Sequence, residues 1–218
     1  MKDKKMKQKM NRIHSLFPTL VYEGWYPSYE ETYKEKLISY VHKLKENDTE
    51  GQQICAEKYP NGYTSYFTNT TLFTDPLLAD LVIFMQQSAV NFATEHHWDT
   101  ENFEPIMDVL FANINPKSSG HPDHMHPNCH ISGVFYVKTD IGSPAPLSIK
   151  DPRPARWMLP PEADTTRLEN TFNAFVPAEA GKLLLFPSWL EHGVPQNRFD
   201  SERISMSFNF YMHRIKKP

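Results

Sequence analysis

Along this chain the spacing of apolar residues changes once, near residue 105. Before it, apolar positions recur at helical spacing. Residues 29–46, YEETYKEKLISYVHKLKE, put Tyr33, Leu37, Val41 and Leu44 on one face and charge on the other, which predicts an amphipathic helix closed by Asn47 and Asp48. Asp75-Pro76 supplies an N-cap and a first-turn proline for a second helix reaching about Glu95. Its predicted buried stripe is Leu77, Leu78, Leu81, Val82, Met85, Ala89 and Phe92. LFPTLVYE, residues 16–23, reads as a first strand. From residue 105 onward the period is two. MDVLFANIN, ISGVFYVK, APLSIKD, FNAFVPA, GKLLLFPS and RISMSFNFYM are strand candidates separated by Pro, Gly, Asn and Asp. Helices followed by a run of short strands predict an α+β, mainly β chain whose strands form a sandwich or barrel.

The last strand carries the clearest alternation. Ile204, Met206, Phe208 and Phe210 share one face, and Arg203, Ser205, Ser207 and Asn209 share the other. Two arrangements satisfy this pattern. The polar face can meet solvent on a half-exposed sheet, or it can line a barrel lumen that holds a charged ligand while the apolar face packs under helices. MDVLFANIN repeats the pattern more weakly, with Asn113 and Asn115 on one face.

Composition narrows the function classes. The chain has 218 residues, 39% hydrophobic, with 18 prolines against 8 glycines, which suits one loop-rich globular domain. The first ten residues hold five lysines and one aspartate; they contribute +4 and leave −7 on the remainder of a chain of net charge −3. The body therefore lacks a basic nucleic-acid footprint. Residues 1–10 read as a frayed, disordered basic tail and residues 11–218 as a single domain. No secretory signal is legible, and LLADLVIFM, nine residues carrying Asp80, is too short to span a membrane. The cysteines, Cys55 and Cys129, form no motif and read as reduced thiols of a cytoplasmic protein. Partners are thus expected among small-molecule or peptide substrates, with no nucleic acid and no membrane; a homodimer is left open.

The candidate chemistry lies in HPDHMHPNCH, residues 121–130, which packs four histidines and one aspartate into ten positions. Residues at i and i+2 on a strand face the same way, so His124 with His126, or His121 with Asp123, can each offer two donors to one metal ion. A third donor must come from elsewhere. In GKLLLFPSWLEHGV the apolar LLLF predicts a buried strand, with His192 following across a turn. Arg203 lies eleven residues further on, and an antiparallel pair of strands would bring it to the same pocket. Three donors on one face of an ion leave positions for a bidentate 2-oxoacid and dioxygen, and an arginine can clasp the acid's remote carboxylate.

HMHPN-x-x-ISGVFYV, GKLLLFPSWLEHGV and ERISMSFN together resemble the bacterial and phage family of 2-oxoglutarate/iron(II)-dependent oxygenases. The signature of that family is a histidine pair, SGVYYV, FPSWLxHxV and RISxSFN, and the similarity runs from about Phe111 to Phe210. The resemblance implies a double-stranded β-helix, the jelly-roll or cupin-like core, with N-terminal helices packed on one sheet. It implies iron(II) held by His124, His126 and His192, with 2-oxoglutarate as cosubstrate, and Arg203 and Ser205 on the remote carboxylate. Asn113 and Tyr136 are further candidates for the oxoacid. An all-histidine set departs from the histidine-x-carboxylate pair usual in the wider superfamily, which His121-Pro-Asp123 would supply. Ser132 and Gly133 read as close strand packing, His130 as a loop residue, and Trp189 as either substrate entrance or core.

The activity implied is hydroxylation of a small metabolite, amino acid or peptide side chain, with release of succinate and carbon dioxide. A second reading keeps the barrel as a cupin-like dioxygenase or isomerase with no 2-oxoglutarate; such an enzyme has no need of Arg203. A third is a zinc-stabilised module, for which a closed shell of four protein ligands is expected.

Overall fold

The computed structural model describes residues 14–139, 146–154, 158 and 171–215. Its strands are β1 (Tyr22–Trp25), β2 (Tyr63–Thr64), β3 (Phe103–Asn115), β4 (His121–His124), β5 (Ile131–Lys138), β6 (Leu147–Lys150), β7 (Asn173–Val176), β8 (Lys182–Pro187), β9 (His192–Val194) and β10 (Arg203–Arg214). Its α-helices are α1 (Glu31–Asn47), α2 (Thr49–Lys58) and α3 (Ala79–Glu95). One sheet has the order β1-β8-β5-β10-β3-β2 and the other β4-β9-β6-β7. Every pairing between these strands is antiparallel. From β3 onward the chain passes back and forth between the two sheets, which is the double-stranded β-helix.

The alternation on β10 resolves in favour of the lumen. Ile204, Met206, Phe208 and Phe210 join one core together with Leu37 of α1, Cys55 of α2 and Leu81, Met85, Ala89 and Phe92 of α3. Val134, Tyr136, Leu184 and Phe186 turn the other way and meet Leu147, Ile149 and Val176 of the smaller sheet. Strands β5 and β8 thus feed two cores, and burial on both faces is why they read as nearly continuous apolar runs. Gly133 lies where β5 and β10 come closest: a Cβ there would sit 2.4 Å from the Phe208 ring and 2.7 Å from Leu185.

Several expectations shift. The first strand begins at Tyr22, not Leu16, because Phe17 takes a φ of 57° and lies 95% exposed. Helix α2 was not legible; Asp48 ends α1 and at once caps α2, its carboxylate accepting the Gly51 N–H at 2.8 Å. The Asp75 cap holds, accepting from the Leu77 N–H, but the first turn, Pro76–Leu78, is a 3₁₀ turn. Its tighter winding rotates Leu77 out of the stripe, leaving it 39% exposed while Leu78 is buried. The segment Pro76–Glu95 is long and apolar enough by composition to cross a membrane, and here its Leu81–Phe92 face packs on the larger sheet. Strands β9 and β10 belong to different sheets and are not a hydrogen-bonded pair. The lysine-rich residues 1–10 lie outside the described residues.

Gly133→Ala should lower stability by roughly 1–3 kcal/mol through overpacking against Phe208. A thermal melt checks this, and an unchanged midpoint would show that the Phe208 ring yields at no cost.

Candidate metal centre

Strand β4 ends at His124, which lies directly opposite His192, the first residue of β9. His126 is past the strand end, so it does not share a continuous strand face with His124 as the i, i+2 spacing predicts. Its backbone N–H donates instead to the Ser188 carbonyl at 2.9 Å, which folds the turn back toward the segment that carries His192. The result brings all three side chains together: one ligand nitrogen from each of His124, His126 and His192 lies within 4.8 Å of the others.

Hydrogen bonds decide which nitrogens face inward. His124 Nδ1 is 2.9 Å from the Pro122 carbonyl, His192 Nδ1 is 2.8 Å from the Leu190 carbonyl, and His126 Nδ1 is 2.7 Å from Asn209 Oδ1. Each of those oxygens can only accept, so each Nδ1 carries the ring proton and each Nε2 presents a lone pair. Burial holds the rings neutral, with His124 pushed down to about 4, His192 to about 3 and His126 also lowered. Neutral imidazole with a free Nε2 is the metal-binding form.

His124 Nε2 and His126 Nε2 lie 2.9 Å apart with no proton to share. Two lone pairs so placed repel unless a cation draws both. Two nitrogens bound at right angles, each about 2.1 Å from one ion, are roughly 3 Å apart. The donor set therefore fits a first-row divalent metal, and these three residues could hold it while leaving coordination positions open.

Asp123 is directed elsewhere. Its Oδ2 pairs with Lys150 Nζ at 2.6 Å, and Glu191 approaches the same ammonium at 3.7 Å. A register shift between His121 and His124 accompanies that turn. His121 packs against His124 with the rings tilted and their centroids 4.2 Å apart, and lies 5.8 Å from the Tyr59 ring. The pair His121 and Asp123 is thus not gathered with His192.

The oxoacid candidates form a second group on the lumen face of the larger sheet. Ser205 sits opposite Asn113 on one side and Tyr136 on the other, and Arg203 sits opposite Asn115. Arg203 is 6% exposed, its guanidinium 5.3 Å over the Tyr136 ring. The Tyr136 and Ser205 hydroxyls are buried and have no hydrogen-bond partner among the described residues. Burial pushes the Tyr136 phenol up to about 12, so it stays a donor. Asn113 donates to Ser207 Oγ at 3.0 Å. A buried arginine beside two unsatisfied hydroxyls suits a carboxylate.

Three residues escaped the sequence reading. Ser132, read as strand packing, and Ser188 and Asn209, not singled out, all meet near His126. The alternation of β10 had already placed Asn209 on the polar face, which was the available signal. His130 lies apart, its Nδ1 accepting the Met212 N–H at 3.2 Å. Trp189, 54% exposed, is not a core residue.

Residues 110–209 match the profile of a family described as "Putative 2OG-Fe(II) oxygenase". Over this core segment the chain is similar to that family. Its fold is shared with a Pseudomonas putida prolyl-4-hydroxylase at 15% identity and TM-score 0.56, over 89% of this chain and 94% of that one. HygX from Streptomyces hygroscopicus, solved with nickel, 2-oxoglutarate and hygromycin B, is similar at 14% identity and TM-score 0.56, over 88% and 83%. SnoK, a non-heme alpha ketoglutarate dependent carbocyclase from nogalamycin biosynthesis, is similar at 12% and 0.60, over 89% and 79%. At these identities the likeness is one of fold. No curated protein sequence matches the chain. The jelly-roll thus carries a histidine triad and a buried group of unsatisfied hydroxyls beside Arg203.

His192→Ala should abolish iron binding with the fold preserved, because β9 is tied by pairing to β4 and β6 and not by metal. Asp123→Ala should keep iron, and His126→Ala should lose it. Metal content by elemental analysis checks the set; metal loss in Asp123→Ala with retention in His126→Ala would restore the histidine-carboxylate pair.

Proposed function

We propose that this oxygenase uses iron(II) at His124, His126 and His192 to couple oxidation of 2-oxoglutarate with hydroxylation of a small metabolite, amino acid or peptide side chain. The observation that carries the reading is the buried group of Arg203 with the unsatisfied Tyr136 and Ser205 hydroxyls, on the sheet that also presents Asn209 to His126. Iron(II) supplies the chemistry that joins dioxygen, the oxidative decarboxylation of 2-oxoglutarate to succinate and carbon dioxide, and oxygen insertion at a substrate carbon.

The protein's own residues do the rest. Arg203 meets the remote carboxylate as a fixed fork, and the Tyr136 and Ser205 hydroxyls donate to it, so one end of the cosubstrate is held while the keto-acid end is aimed at the triad. The apolar lumen around Val134, Leu184 and Phe186 excludes water from that path. At the rim, Met125 between two of the histidines is 58% exposed and Trp189, three residues before His192, is 54% exposed. They give the substrate an apolar surface beside the metal ligands. The similar structures named above, a prolyl hydroxylase, an enzyme with bound hygromycin B and an enzyme of nogalamycin biosynthesis, support a small-molecule or peptide substrate. A cupin-like enzyme acting without the oxoacid has no use for the buried arginine recess.

Arg203→Ala should weaken 2-oxoglutarate far more than iron. Loss of a buried charge-assisted contact costs on the order of 2–5 kcal/mol, more than tenfold in affinity. Succinate formation with iron(II), oxygen and ascorbate, measured against 2-oxoglutarate concentration, tests this. The same half-saturation in both proteins would place the anchor elsewhere, and no succinate from the unmodified protein at any concentration would remove the oxoacid.

A further inference from the structure

Two separate stretches of the motif send one polar side chain each to the same nitrogen, and a third stretch braces one of them. His126 Nδ1 lies 2.7 Å from Asn209 Oδ1 and 2.8 Å from Ser132 Oγ. Ser132 Oγ lies 2.9 Å from Asn209 Oδ1 and 2.9 Å from Ser188 Oγ. Ser132 belongs to ISGVFYV on β5, Asn209 to SFN on β10, and Ser188 to FPSWL between β8 and β9. Asn209 and Ser132 are direct cross-strand partners, so the sheet register alone keeps them together. Ser132 and Ser188 are buried, and the Ser188 carbonyl also takes the His126 backbone N–H at 2.9 Å.

The other two histidines need no such help. Each hands its Nδ1 proton to a carbonyl two residues upstream, Pro122 for His124 and Leu190 for His192, so the local turn sets the ring. His126, beyond the end of β4, has its Nδ1 on side chains alone. An imidazole so placed could adopt either tautomer or flip, and only one choice turns Nε2 toward the triad.

We propose that Ser132, Ser188 and Asn209 form a positioning latch that fixes the tautomer and ring orientation of His126 for the metal. The inference rests on His126 being a ligand. The latch uses a neutral amide where a carboxylate would make the imidazole more electron-rich, so Asn209 sets how strongly His126 donates.

Cobalt(II) titration of the apo-protein, read by its visible absorption, with a thermal melt of each apo-protein, tests the latch. Asn209→Leu removes the acceptor at similar volume and should weaken cobalt roughly ten- to hundredfold, as expected when an outer partner of a ligating histidine is lost. Ser132→Ala should weaken it less. Asn209→Asp should bind at least as tightly as the unmodified protein, with its visible bands shifted, a change that a merely structural role for the amide would not produce. Cobalt affinity in Asn209→Leu and Ser132→Ala equal to that of the unmodified protein, while His126→Ala loses cobalt, would overturn the latch and leave the metal site standing. Unchanged cobalt binding in His126→Ala would overturn both. If Asn209→Leu fails to fold, Asn209→Asp decides: unshifted bands at unchanged affinity would end the proposal.

Discussion

On β10 the side chains of Ile204, Met206, Phe208 and Phe210 are locked under the helices, and because a strand alternates, Arg203, Ser205, Ser207 and Asn209 are thereby committed to the lumen. A slip of one residue would put a charge and three polar groups into the helix-facing core and four large apolar groups into the site. The flanking strands are held to the same register, which sets Asn113 and Tyr136 beside Ser205 and Ser132 beside Asn209. The proposed carboxylate anchor and the support of His126 are thus two ends of one polar row. The packing that stabilises the fold is the same packing that aims the chemistry.

Charge distinguishes this centre from a histidine-carboxylate one. On the proposed ligand set, three neutral imidazoles would leave the two positive charges of an iron(II) ion uncompensated by protein, and the nearby Asp123 carboxylate is paired with Lys150. A dianionic oxoacid bound as proposed would supply the missing negative charge. Metal and oxoacid retention would then be linked, each favouring the other.

Much of the fold was legible because burial on one or both faces writes itself into spacing. The strands β3 and β10 and the helices α1 and α3 were recoverable from period, and β5 and β8 from their apolar runs. What escaped was short or irregular. Strands β4 and β9 span four and three residues, too few to show a period. Helix α2 carries a glycine in its first turn and buries only Gly51 and Cys55, so no apolar stripe marks it. Of the site, the residue types and the far histidine were readable, yet two spatial relations were not. His126 reaches the triad through a turn and not along a strand, and His192 and Arg203 converge from opposite sheets and not from a hairpin. The supporting residues Ser132, Ser188 and Asn209 are small and polar, and sequence gives such residues no signature until the partner is placed.

Iron K-edge X-ray absorption of the anaerobic iron(II)–2-oxoglutarate complex tests the central claim most directly, because imidazole rings scatter in a pattern that counts them. The structure predicts three imidazoles, with the remaining scatterers oxygen from the oxoacid and solvent. Two imidazoles with a protein carboxylate, unaltered when Asn209 is replaced but lost in Asp123→Ala, would contradict it.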